Sequence, residues 1–331
     1  MSNSFRILQD ALDASRRGDS LYSIYQALEE SEDLLNEHQK NAFELLFEML
    51  ISSLTEEQAQ ELARFPTEGL EVYVTNISSS IAQVLSLFNG KKLFLNKLEL
   101  IDEATAKALA QWKGDWLYLN GVKQLDEAIG KALAQWSGKY LYLNGVKQLD
   151  EATAKALAQW PGILLCLDGA QQLDEATAKA LAQWKGNKLE LNGVKQLDEA
   201  TAKAVVQWPG NELSLNGVQQ IDEATAKALA QWPGNELSLN GVQQIDEATA
   251  KILAQFKGEF LSLNGVKQLD EATAKALSQW QKALSQWQKI YSILCLNGVN
   301  QIDEATAKAL AQFKGAISAK KEILDQIKKF K

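Results

Sequence analysis

Histidine is nearly missing from this chain: His38 is the only one in 331 residues, beside two cysteines, two methionines and four prolines. The common zinc and haem sites gather several imidazole or thiolate ligands, so this inventory leaves them short. Acid–base catalysis loses its usual carrier as well, and no acid, base and nucleophile converge in the sequence. An enzyme is therefore not expected, nor is a cofactor or a bound metal. Clustered positive charge is also lacking. The 34 Lys and Arg stand against 42 Asp and Glu for a net charge of -8, which argues against a nucleic-acid partner. No apolar run approaches the ~20 residues of a membrane span. The segment Met1 to Asp10 meets Arg6 too early to form an apolar signal core. A cytoplasmic location is the expectation.

What the chain has in abundance is itself. The block Leu-Asp-Glu-Ala-Thr-Ala-Lys-Ala-Leu-Ala-Gln-Trp recurs nearly letter for letter, its aspartate at Asp102, Asp126, Asp150, Asp174, Asp198, Asp222, Asp246 and Asp270, a constant step of 24, and then at Asp303 after a step of 33. Degenerate copies at Leu54 to Phe65 and Ile77 to Phe88 extend the array backwards, giving eleven helical halves and ten strands over residues 54–315. Within a unit, Leu117-Tyr-Leu119 alternates with the period of a strand whose leucines turn inward. A helix follows. Asp126 stands at its N-cap with Leu125 as staple, and Ala128, Ala132, Leu133 and Trp136 share one face. Each of the four prolines follows a terminal aromatic, and all but Gly18, Gly69 and Gly130 of the twenty glycines mark either the helix stop or the Asn-Gly turn. Glycine here is read as punctuation, which leaves a phosphate-cradling loop nothing to explain.

A strand and a helix in fixed order must return each strand parallel to the last. The expected architecture is an α/β solenoid, a right-handed βα superhelix with a parallel sheet on the concave face and helices on the convex face. Strands pack ~4.8 Å apart and helices 8 to 10 Å, which bends the stack toward the sheet.

The pattern Leu-x-Leu-x-Gly-Val-x-x-Leu followed by a short alanine-rich helix resembles the leucine-rich repeat proteins, in particular the bacterial type with 23 to 24 residue units. The resemblance covers roughly residues 54 to 315 and implies a non-enzymatic scaffold whose concave face recognises another protein. One departure stands out. Where the commonest consensus places asparagine three residues after the second strand leucine, this chain has Val122, Val146, Val194 and Val218, and its asparagines (Asn120, Asn144, Asn192) come directly after the strand. The backbone of that turn must find its hydrogen bonds another way.

The ends do not repeat. Residues 1–53 read as three helices forming an all-α N-terminal cap, or alternatively as a segment with an activity of its own for which the repeats select the target. His38 lies there, and replacing it should leave binding intact. Residues 316–331 read as an amphipathic C-terminal capping helix whose lysines need no lipid partner. The step of 33 contains a duplicated heptad, Ala276 to Lys282 and Ala283 to Lys289, which would lengthen a helix and put Trp280 and Trp287 on one side.

Positions fixed from coil to coil serve the stack, and positions that vary are free for a partner. Glu103 with Lys107, Glu127 with Lys131 and their equivalents have ion-pair spacing on a solvated helix face. The aspartate row is explained by capping, the tryptophan row by packing. Variation concentrates between the strand leucines. Phe94, Trp116, Tyr118, Tyr140 and Tyr142 come first, then Leu164, then the acidic Glu190, Glu212 and Glu236. Aromatic side chains on three adjacent strands form an exposed patch larger than a monomer normally leaves unused. These residues are the expected partner-binding site, for a protein or peptide, with the glutamates setting charge preference. Burial of the patch under the N-terminal helices and self-association through it are the alternatives. Cys166 and Cys295 occupy equivalent strand positions five coils apart, beyond disulfide reach.

Overall fold

The computed structural model describes residues 54–280 and 292–331. The expected N-terminal helices with His38, and the second heptad copy with Trp287, lie outside the described residues.

Eleven three-residue strands stack in chain order into one parallel sheet: β1 (Gly69–Glu71), β2 (Lys92–Phe94), β3 (Trp116–Tyr118), β4 (Tyr140–Tyr142), β5 (Leu164–Cys166), β6 (Lys188–Glu190), β7 (Glu212–Ser214), β8 (Glu236–Ser238), β9 (Phe260–Ser262), β10 (Ile293–Cys295) and β11 (Ala316–Ser318). The last strand falls where the sequence suggests the start of the terminal helix. Ile317 pairs in register with Leu294, so one more strand is added before the helix Lys321–Lys328 buries Ile323 and Ile327 against the end of the core. Among the described residues, each of the gaps between strands holds a helix of seven or eight residues. The result is a solenoid of leucine-rich-repeat type.

Register is set by the leucines. The central residues Leu93, Leu117, Leu141 and Leu165 are direct partners across β2 to β5, and each is fully buried. A one-residue slip would turn them out to water and the aromatic neighbours into the core. Behind the sheet, each aspartate caps its helix as expected. The Asp102 carboxylate accepts from the Thr105 amide at 2.7 Å, and the equivalent bond recurs up to Asp303, from a threonine amide in every coil except that of Asp126, where Ile129 donates. That threonine is a buried polar row which the helical period alone does not disclose. Thr177 and Thr225 donate their hydroxyls to the carbonyls of Leu149 and Leu197 one coil back, tying helix to preceding turn.

Where helix gives way to strand, the aromatics form a ladder from Phe88 through seven tryptophans and Phe256 to Phe313, rings stacked at centroid distances of 5.7 to 6.5 Å. Trp136 Nε1 donates to the carbonyl of Trp112 one coil below. Trp280 belongs to this ladder, and its helix ends at Ser278 like its neighbours. The expected lengthening of this helix by the second heptad copy falls on residues outside the described ones.

The turn after each strand solves the backbone problem raised by the displaced asparagine. Asn120 Oδ1 accepts from the Asn144 amide, Asn144 from Asp168, Asp168 from Asn192, and so on to Asn264 and Asn297, at 2.8 to 3.1 Å. An inter-coil ladder exists after all, two residues earlier than in the common consensus. The following glycine permits it, because a Cβ on Gly145 would lie 2.4 Å from the Asn120 carbonyl oxygen.

Candidate functional site

On the open face of the sheet, parallel in-register pairing converts the variable strand positions into two columns. One runs Lys92, Trp116, Tyr140, Leu164, Lys188, Glu212, Glu236, Phe260 and Ile293. The other runs Phe94, Tyr118, Tyr142, Cys166, Glu190, Ser214, Ser238 and Ser262. Direct registry places like side chains over one another, and rings stack. Phe94 and Tyr118 lie 4.4 Å apart between centroids, Tyr118 and Tyr142 4.3 Å, and Trp116 and Tyr140 4.6 Å, with planes within 15° of parallel. The Lys92 ammonium sits 5.3 Å from the Trp116 ring centre and also pairs with Glu68. All five rings are partly exposed. Their spacing is tighter than that of the internal ladder, so the coils close up toward the sheet and spread toward the helices, as expected of a concave sheet face.

The structure thus brings Phe94, Trp116, Tyr118, Tyr140 and Tyr142 together as two adjoining stacks. Burial pushes the Tyr142 phenol above its usual range, helped by Tyr118 and Glu190, so it stays a neutral hydroxyl. Leu164 is placed differently from its neighbours: it retains 8% exposure and Cys166 beside it 1%, so β5 forms a low step in the surface.

Beyond the step the chemistry turns acidic. Lys188 bridges Glu190 at 3.1 Å and Glu212 at 3.5 Å. Its ammonium is held above the usual lysine range, the two carboxylates outweighing the burial that would lower it. Glu236 follows Glu212 in the column, and its carboxyl is pushed up by burial first and by Glu212 next. The serines between these glutamates join the asparagine ladder. Ser238 Oγ donates to Asn216 Oδ1 at 2.7 Å and accepts from Asn240 Nδ2 at 3.0 Å. Sequence reasoning overlooked this network, though a serine two residues before a ladder asparagine in three successive coils was a visible signal.

Cys166, Asp168 and Glu190 bring ligand-type atoms within 4.8 Å of one another. They are held by bonds among protein groups. The thiol donates to Glu190 Oε2 at 2.9 Å, and Asp168 accepts the Asn192 amide at 2.9 Å. Burial, then that hydrogen bond, pushes the Cys166 thiol up, away from the thiolate that nucleophilic chemistry requires. Cys295, likewise buried, is also raised by desolvation, and both cysteines are free. Among the described residues no helix is long and apolar enough to cross a membrane.

No family model matches the chain, and no curated protein matches it. Among solved structures it is similar to an internalin from Listeria monocytogenes, at 18% identity and a TM-score of 0.45, over 78% of this chain and 70% of that one.

Proposed function

We propose that the chain is a non-enzymatic interaction scaffold that binds a peptide, or an extended segment of a partner protein, on the open face of its sheet. Phe94, Trp116, Tyr118, Tyr140 and Tyr142 anchor it, and Glu190, Glu212 and Glu236 set its charge preference. The observation that carries this reading is a contrast between two sets of stacked rings. The tryptophan ladder is buried and repeats in nearly every coil, because the stack needs it. The sheet-face rings occupy positions that hold glutamate and serine at β7 and β8 with the same pairing and the same buried leucines. The fold therefore does not require aromatics there. Partly exposed Tyr and Trp offer large contact area at small entropic loss, which is why such residues dominate binding hot spots.

The test is a selection of displayed random peptides against the full chain, followed by binding measurements on the Trp116→Ala/Tyr140→Ala variant. Binding should be lost while the chain still unfolds cooperatively, with a stability loss per ring below that of a ladder tryptophan, since the stacked pair adds only about 1.5 kcal/mol to the area its partly exposed rings bury. Trp136→Ala, in the buried ladder, should cost about 3 to 5 kcal/mol. A comparable loss per ring for the surface pair would assign those rings to the fold, and peptides that bind the double variant unchanged would remove them from the site.

A further inference from the structure

We infer that the occupant of this face is a basic extended segment, with an aromatic or large apolar anchor on β3 and β4 and a lysine or arginine about five residues away over Glu212 and Glu236. This rests on the reading of the face as a peptide site and adds the ligand's charge and spacing to it.

The first ground is charge. Across the two columns and their flanking rows from β5 to β9 stand Asp168, Glu190, Glu212, Glu236 and Glu259. The one cation in those rows is Lys188, already shared between Glu190 and Glu212. The other lysines of this stretch, such as Lys185, Lys195 and Lys257, sit in the loops to either side. Two glutamates in direct register, Glu212 and Glu236, repel each other. A cation laid between them relieves that repulsion, whereas an acidic segment or a phosphate would add to it.

Shape is the second ground. Leu164 and Cys166 are buried, and Ser214, Ser238 and Ser262 are short and committed to Asn192, Asn216 and Asn240. Small side chains thus flank the aromatic stacks at β5 and return alongside Glu212 and Glu236 at β7 to β9, with the Lys188–Glu190 pair of β6 standing between the two stretches. The floor they form has little hydrogen-bonding capacity left to offer, so selectivity falls to the carboxylates. From β4 to midway between β7 and β8 is three to four strand intervals, ~17 Å at ~4.8 Å each, or about five residues of extended chain at ~3.3 Å.

Random 12-residue peptides displayed against the full chain, selected at low salt, provide the probe, and selected sequences are then measured as labelled peptides by fluorescence anisotropy. They should pair an aromatic residue with a lysine or arginine four to six positions away. The Glu212→Gln/Glu236→Gln variant, which keeps size and removes repulsion, should weaken them about tenfold or more, as should ~0.5 M salt. Glu212→Lys/Glu236→Lys, selected afresh, should favour acidic peptides. Neutral or acidic peptides on the parent chain, or binding that the Gln variant leaves intact while Trp116→Ala/Tyr140→Ala abolishes it, would overturn the basic occupant and keep the site. Peptides indifferent to both variants, or no binders at all, would overturn the site itself.

Discussion

The glycine two residues after every ladder aromatic but Trp280 owes its place to contact. A Cβ on Gly186 would lie 2.0 Å from Cζ2 of Trp184, well inside any tolerable separation, because the chain doubles back over the face of its own indole. None of the described glycines has a left-handed φ, so the ordinary C-terminal role of glycine does not account for this row. Gly186→Ala should therefore destabilise by about 2 to 3 kcal/mol or more, since the ring is clamped between Trp160 and Trp208 and cannot retreat. Lys179→Ala, which removes an exposed pair with Glu175, should stay within about 0.5 kcal/mol. Urea unfolding of both variants checks this. An unperturbed Gly186→Ala would mean that the loop has room the close approach denies. The sequence announces which glycines repeat, but it cannot show that one row passes a ring and the other a carbonyl, because both reasons leave the same letter. Leu164 has the same ambiguity: its column position was legible, while its burial between larger neighbours depends on their side chains.

At the scale of the helix, seven or eight residues are too few to be stable alone, and capping with packing must hold them. Eight of the nine aspartate caps have carboxyls held below the usual aspartate range by the first-turn threonine. The amide contributes most at Asp150, Asp174, Asp198, Asp222, Asp246 and Asp270, the hydroxyl most at Asp102 and Asp303. A carboxyl with a lowered folded-state pKa stabilises fully above its unfolded value of ~3.9 and loses that contribution as pH falls through the folded value. Stability should thus be flat with respect to these groups at neutral pH and fall away below about pH 4. Asn is as good a cap and does not titrate. Replacing Asp198, Asp222 and Asp246 by Asn should leave the neutral-pH melting temperature nearly unchanged and soften the acid transition followed by circular dichroism. An identical acid transition would move the titration elsewhere. Capping was readable because Asp before a helical period has one common use. The buried threonine was not, since a polar residue in the first turn looks solvated until the preceding coil is set against it.

For the molecule as a whole, each coil touches its neighbours and little else, so length is a variable the fold tolerates. Removing residues 174–197 joins Leu173 to Asp198, the same junction as in every intact coil. β5 would then pair with β7, Asp168 would accept from Asn216 in the asparagine ladder, and Trp160 would stack on Trp208. The shortened chain should fold, with a denaturant m-value lower in rough proportion to the lost coil. Its consequence for binding is sharper. The deletion takes away Lys188 and Glu190 and draws Glu212 and Glu236 one strand nearer the rings of β3 and β4, by ~4.8 Å. Peptides selected against it should carry their basic residue one or two positions closer to the aromatic anchor, and parent-selected peptides should bind it more weakly. An unchanged spacing would mean that the ligand does not run along the array, even if aromatic and acidic groups both contribute. Only an ordered stack makes this experiment meaningful. The sequence displayed that order in its constant step, while the conversion of the step into a ruler across the sheet depends on the register that the buried leucines impose.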